Sequence, residues 1–165
     1  MITAYNADER VETGLKTLLE TYLNDQIEEN NAAETDGILM KLLDDDMIYP
    51  QYITADALQG RLKPFPAICF YIYDSGGEIK NISMKQQYVN LRLALFTSGP
   101  DSAKLEKRYL AAIQQVIEEH DEEIANCVFR GQVINRKYYT PVSYGFEEAI
   151  YIAEMIINIT VEVRK

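Results

Sequence analysis

The chain has 165 residues, 47% of them hydrophobic, with 8 glycines, 5 prolines and a formal net charge of −10. That balance argues against a disordered chain and suits one globular domain over residues 1–165 with a real core. It also argues against phosphate-backbone contacts, and so against sequence-specific nucleic-acid binding. No apolar run approaches the ~18–20 residues of a membrane span. Met1–Arg10 is polar and acidic, unlike a signal peptide. Cys69 and Cys127 read as reduced thiols of a cytosolic chain rather than a disulfide. The charge is lopsided: residues 1–60 hold thirteen acids against Arg10, Lys16 and Lys41. We therefore divide the domain into an acidic helical and irregular part, 1–63, and a hairpin-helix-strand-strand core, 64–165.

The first element is a helix from about Asp8 to Glu29. Val11, Leu15, Leu18, Leu19, Tyr22, Leu23 and Ile27 recur at three- and four-residue steps. Asn30-Asn31 reads as its stop. Ile38-Leu39-Met40 with Leu42-Leu43 suggests a helical turn or two, and Thr54 would cap a short helix over Ala55–Leu58. After Pro64 and Pro66, Ala67–Tyr73 is dense in strand formers. Asp74-Ser75-Gly76-Gly77 then reads as a turn, with the return strand through Ile79–Ser83 and Gln87–Thr97. A second helix opens at Asp101 or Ser102 and runs to about Glu119, with Leu105, Tyr109, Ala112, Ile113, Val116 and Ile117 as its stripe. A strand near Cys127–Ile134, a connection at Tyr138-Tyr139-Thr140-Pro141 and a turn at Tyr144-Gly145 follow.

The last element has the strongest pattern. From Ala149 to Val163 one parity reads Ala149, Tyr151, Ala153, Met155, Ile157, Ile159, Val161, Val163. Strict alternation means one buried sheet face and one partly wet face. The run is also far longer than the usual ~5–6 residues, so it needs an equally long partner or a covering subunit. The fold class is α+β: a mainly antiparallel sheet with a long hairpin and a long C-terminal strand, helices packed on one face. The second helix, lying between strands, would alternatively form a crossover.

No residue pattern specifies catalysis. The only histidine, His120, lies in Glu118-Glu119-His120-Asp121-Glu122-Glu123, where consecutive positions diverge around a helix instead of converging on a cation. Asp44-Asp45-Asp46 lacks the spacing of a calcium loop. There is no Gly-x-Ser-x-Gly elbow and no strand-to-helix glycine loop. Cys69 sits in an apolar strand, and a Cys127–His120 dyad has no local motif behind it. The chain is thus expected to be no enzyme and to hold no metal or cofactor. Interface chemistry is better represented. There are twelve tyrosines and no tryptophan, and tyrosine suits both strands and interfaces. Tyr71, Tyr73, Tyr138 and Tyr139, with Arg92, Arg130 and Arg136, are the candidate subunit-interface residues. The arginines would meet a neighbour's acidic segment in head-to-tail association.

Pro66-Ala67-Ile68 after a variable segment, the helix Leu105-Glu106-Lys107-Arg108-Tyr109-Leu110 and the terminal strand Ile150–Val163 carry a resemblance covering most of the chain. In size and element order it resembles the tail terminator and neck (head-tail joining) proteins of long-tailed bacteriophages and prophages. The resemblance implies a homo-oligomeric ring, usually hexameric, that caps the tail tube, binds tube and head-completion proteins, and passes DNA through its lumen. It implies no catalytic residues, and places the protein in the bacterial cytoplasm during assembly and then in the virion. Segment Asn30–Lys63 is longer and more acidic than the minimal fold. Two other readings stand beside this one: a small cytosolic accessory or regulatory binding domain, and an enzyme using the Glu118–Glu123 carboxylates with a divalent cation.

Overall fold

The computed structural model describes residues 6–58, 61, 64–79, 84–126, 129–143 and 148–164. Helix α1 spans Ala7–Ala32 and buries Val11, Leu15, Leu18, Leu19, Leu23 and Ile27, the stripe its sequence periodicity marks. It runs through Asn30-Asn31 rather than stopping there. Both asparagines are held from outside: Asn30 Nδ2 donates to Gln115 Oε1 at 2.7 Å, and Asn31 grips the Met40 backbone.

Residues 38–44 form neither helix nor turn, and Asp44 is extended, so the helical turns their apolar pattern suggests are not there. Side chains from the helices take the place of a neighbouring strand. Asn31 donates to Met40 O and accepts from Met40 N, both at 2.9 Å. Asn24 does the same for Leu43, at 2.8 and 2.9 Å. Between them the Tyr109 hydroxyl accepts from Lys41 N at 2.7 Å and donates to Lys41 O at 2.8 Å. A backbone satisfied in this way gains nothing by coiling into a helix. Met40 and Leu43 point into the core while Leu39 and Leu42 stay exposed. Two short 3-10 turns follow, Asp45–Met47 and Ala55–Leu58, the second where the short helix was expected, with Ala57 N bonded to Thr54 O.

Five strands form one sheet in the order β1-β2-β3-β5-β4. They are β1 (Ile48–Tyr49), β2 (Ala67–Ile79), β3 (Met84–Ser98), β4 (Phe129–Tyr138) and β5 (Ile150–Arg164). Only the short β1–β2 pair is parallel. Strand β2 passes straight through Asp74-Ser75-Gly76-Gly77, so that segment is strand and not turn. The glycines serve close approach: a β-carbon on Gly77 would stand 2.6 Å from Gln86 O, and one on Gly76 2.6 Å from the Tyr88 hydroxyl. Strand β4 likewise continues through Tyr138, four residues past the expected end at Ile134. The turn expected at Tyr144-Gly145 lies outside the described residues.

Strand β5 finds its long partner within the chain. It pairs β3 without a break from Met84–Arg164 to Ser98–Ile150, and β4 flanks it from Phe129–Val161 to Tyr138–Ala153. It is therefore a central strand, and among the described residues the open edges of the sheet belong to β2, beyond the two residues that β1 covers, and to β4. Helix α2 (Ser102–Glu119) links β3 to β4, which run in the same direction with β5 between them, so it is also a crossover.

Both helices cover one face, over Phe70, Leu91, Leu93, Met155, Ile157 and their neighbours. On the opposite face a smaller cluster, with Met47, Leu58, Cys69, Phe96 and Ile150, covers one end only. No helix among the described residues is long and apolar enough to cross a membrane.

Candidate assembly surface

The remainder of that second sheet face carries a polar and aromatic network. Cross-strand register puts Tyr71, Arg92, Ile156 and Asn135 in one row. Arg92 Nη1 donates to the Tyr71 hydroxyl at 3.5 Å, and its Nε lies 3.8 Å from Glu154 Oε2. Glu154 Oε2 also accepts from the Tyr139 hydroxyl at 2.9 Å. The guanidinium sits 5.4 Å from the centroid of the Tyr73 ring, and Lys137 Nζ lies 4.7 Å from that of Tyr139. Tyr52 meets Tyr71 edge-on at 5.4 Å. Tyr71, foremost among these neighbours, raises the Arg92 pKa further. Arg92 stays charged throughout the accessible pH range, yet its Nε is buried without a hydrogen-bond partner.

One row further along, Asn90 Nδ2 donates to Asp74 Oδ2 at 3.2 Å, and Asn158 Nδ2 donates to Asn90 Oδ1 at 2.7 Å. Arg130, opposite Thr160, belongs to this face and is exposed. Arg136 and Tyr138 do not. A bulge between Val133 and Asn135 inverts the parity of β4, so both turn toward α2. There Arg136 Nη2 donates to Gln114 Oε1, and Lys107 Nζ lies 5.9 Å from the Tyr138 ring centroid. The seven candidate residues thus divide: Tyr71, Tyr73, Arg92, Arg130 and Tyr139 on the uncovered face, Arg136 and Tyr138 behind it.

The edges are the other half of the surface. Strand β1 covers β2 at Ile68 and Cys69 alone, so among the described residues no strand pairs the outer edge from Phe70 to Gly77. The outer edge of β4, Phe129–Tyr138, is open in the same sense.

The other sequence candidates have structural explanations. The His120 ring stacks on Tyr22, centroids 3.7 Å apart, and its Nδ1 lies 3.0 Å from Glu123 Oε1. Tyr22 donates to Glu123 Oε2 at 2.5 Å. That bond, and secondarily His120, hold the Glu123 carboxyl below its usual range, while the same bond raises the Tyr22 phenol. The cluster fastens the 3-10 turn Asp121–Asn126 onto α1. Among the described residues no group of three His, Cys, Asp or Glu side chains is placed to hold a metal. Burial pushes the Cys69 thiol up, which makes it a poor nucleophile. Cys127 lies outside the described residues, so the dyad with His120 does too.

Two features escaped sequence reading. Segment 38–44 docks through Asn24 and Asn31, two helical turns apart and hence on one face, a spacing that was there to be noticed. Arg108 bridges Glu34 Oε2 at 2.8 Å and Asp36 Oδ2 at 2.6 Å, and also binds Ile38 O. Part of the acidic excess is thereby answered within the chain. Beside this segment a cleft of about 730 Å³ opens between Leu39, Leu42, Phe65, Thr97 and Leu105. No protein-family model matches the chain, and no curated protein sequence matches it.

Proposed function

We propose that the protein is a structural component of a tailed bacteriophage or prophage, a tail terminator or neck protein that closes into a ring. The ring caps the tail tube and joins it to the head. One observation carries this reading: among the described residues, the sheet has long open edges on both sides. An open edge is a template for another strand, and a chain with two different open edges repeats itself head to tail. The half-wet face with Tyr71, Arg92 and Tyr139 adds an aromatic and arginine-rich surface of the composition that interfaces favour.

Native mass spectrometry over a concentration series tests the reading. A discrete ring species, rising with concentration, is the expected result. A stable dimer that ignores concentration would transfer the assignment to an accessory binding domain.

A further inference from the structure

The two open edges carry opposite charge. Strand β4 bears Arg130, Arg136 and Lys137 and no acid between Phe129 and Tyr138. Strand β2 bears Asp74 and Glu78 and no base between Ala67 and Ile79. Asp8, at the start of α1, leans over β2 as well, accepting from Ser75 Oγ at 2.9 Å. A two-fold dimer would set like edge on like edge, base against base or acid against acid. Apposing the unlike edges neutralises both.

Strand direction points the same way. Each of the pairs β2–β3, β3–β5 and β5–β4 is antiparallel, so β2 and β4 run in opposite directions. Two copies set side by side in the same orientation therefore meet through an antiparallel pair, the more stable kind per residue.

The bulges supply the register. Strand β2 carries its extra residue, Tyr73, between Ile72 and Asp74, and β4 carries Ile134 between Val133 and Asn135. Ile72, Leu91, Ile157 and Val133 form a single row across the sheet, so both bulges stand at one level of opposite edges. Each puts a large apolar side chain into solvent, Tyr73 at 47% and Ile134 at 59% exposure. A bulge kinks an edge against flat, indiscriminate pairing, and an edge kinked at the matching level remains compatible with it.

We infer that β4 of one copy adds antiparallel to β2 of the next, Ile134 bulge against Tyr73 bulge and basic edge against acidic edge. The inference names the joint of the proposed ring and rests on that reading only for closure.

The test mixes two proteins, one carrying Tyr73→Cys and the other Ile134→Cys, at the highest soluble concentration with a short bis-maleimide. Linked peptides are then mapped by mass spectrometry, which separates them from links through Cys69 or Cys127. The expected result is a 73–134 link between the two proteins, about tenfold or more over the 73–73 and 134–134 links, given what like-charge juxtaposition costs. Reversing β4 with Arg130→Glu and Lys137→Glu, both exposed positions, removes the excess. Asp74→Lys in the partner restores it. Self-links in equal or greater yield, or no 73–134 link, overturn the inference. Linked chains that grow without closing would keep the inference and remove the ring; a closed ring without the link would do the reverse.

Discussion

Replacing Tyr109 by Phe isolates the docking of segment 38–44 from the packing beneath it. The ring is almost fully buried, and Phe keeps that packing. What goes is one oxygen that serves both Lys41 N, at 2.7 Å, and Lys41 O, at 2.8 Å. Two such bonds contribute about 1 kcal/mol each, and a backbone group left partly dry adds about 1 more. We expect a loss of roughly 2–3 kcal/mol, or about 5–10 °C in Tm for a chain of this size. Circular dichroism melting gives the first number. Hydrogen exchange at Met40–Leu43 gives the second readout, since the segment should open faster than α1. Tyr22→Phe is the comparison: its hydroxyl bonds an exposed carboxylate, so its loss should stay below about 1 kcal/mol, well under that of Tyr109→Phe. A Tyr109→Phe loss below about 0.5 kcal/mol, with unchanged exchange, would refute the claim that side chains hold this segment in place.

Gly77→Ala should cost about 1–3 kcal/mol, because its β-carbon meets the Gln86 backbone, whereas Gly76→Ala displaces only the movable end of Tyr88. Equal losses in thermal melts would contradict the close-approach account. Burial raises the Glu106 pKa, and Oε2 has no partner. The native state therefore holds this proton more tightly than the unfolded chain. Stability falls as pH rises from the unfolded value, near 4.5, through the raised native one. Glu106→Gln should flatten that fall and raise Tm at neutral pH by a few degrees, about 1 kcal/mol; a lower Tm there would show that the carboxylate is used. Asp36, held well below the usual range first by Arg108 and then by Lys104, contributes in the opposite sense. Its stabilisation is present above its unfolded pKa and is lost as pH falls through the native one, so Arg108→Ala should shift acid unfolding to higher pH. An unmoved acid transition would rule that bridge out as a stabilising contact.

The elements most legible in the sequence are those whose burial follows a period. The α1 and α2 stripes and the alternating parity of β5 from Ala153 to Val163 are set by which side chains reach the core; at the start of the run Ala149 is exposed and Ile150 is buried instead, under the smaller cluster. Failures cluster where long-range partners outvote local propensity. Gly76-Gly77 has the composition of a turn, yet strand β3 approaches closely enough to demand glycine inside a strand. Ile38–Leu43 has helical spacing, but Asn24, Asn31 and Tyr109 offer its backbone better partners. At the assembly surface, adjacent Tyr138 and Tyr139 point to opposite faces as strand alternation requires, and the bulge at Ile134 decides that Tyr139, not Tyr138, shares the face of Arg130. Such a bulge leaves no mark in composition, so five of the seven candidates share a face while two do not.

Electron microscopy of the concentrated protein tests the central claim most directly. If open edges of unlike charge join copies head to tail, class averages will show annular particles with cyclic symmetry and one sheet joint per subunit. Two-fold dimers, or single chains at every concentration reached, would contradict the account.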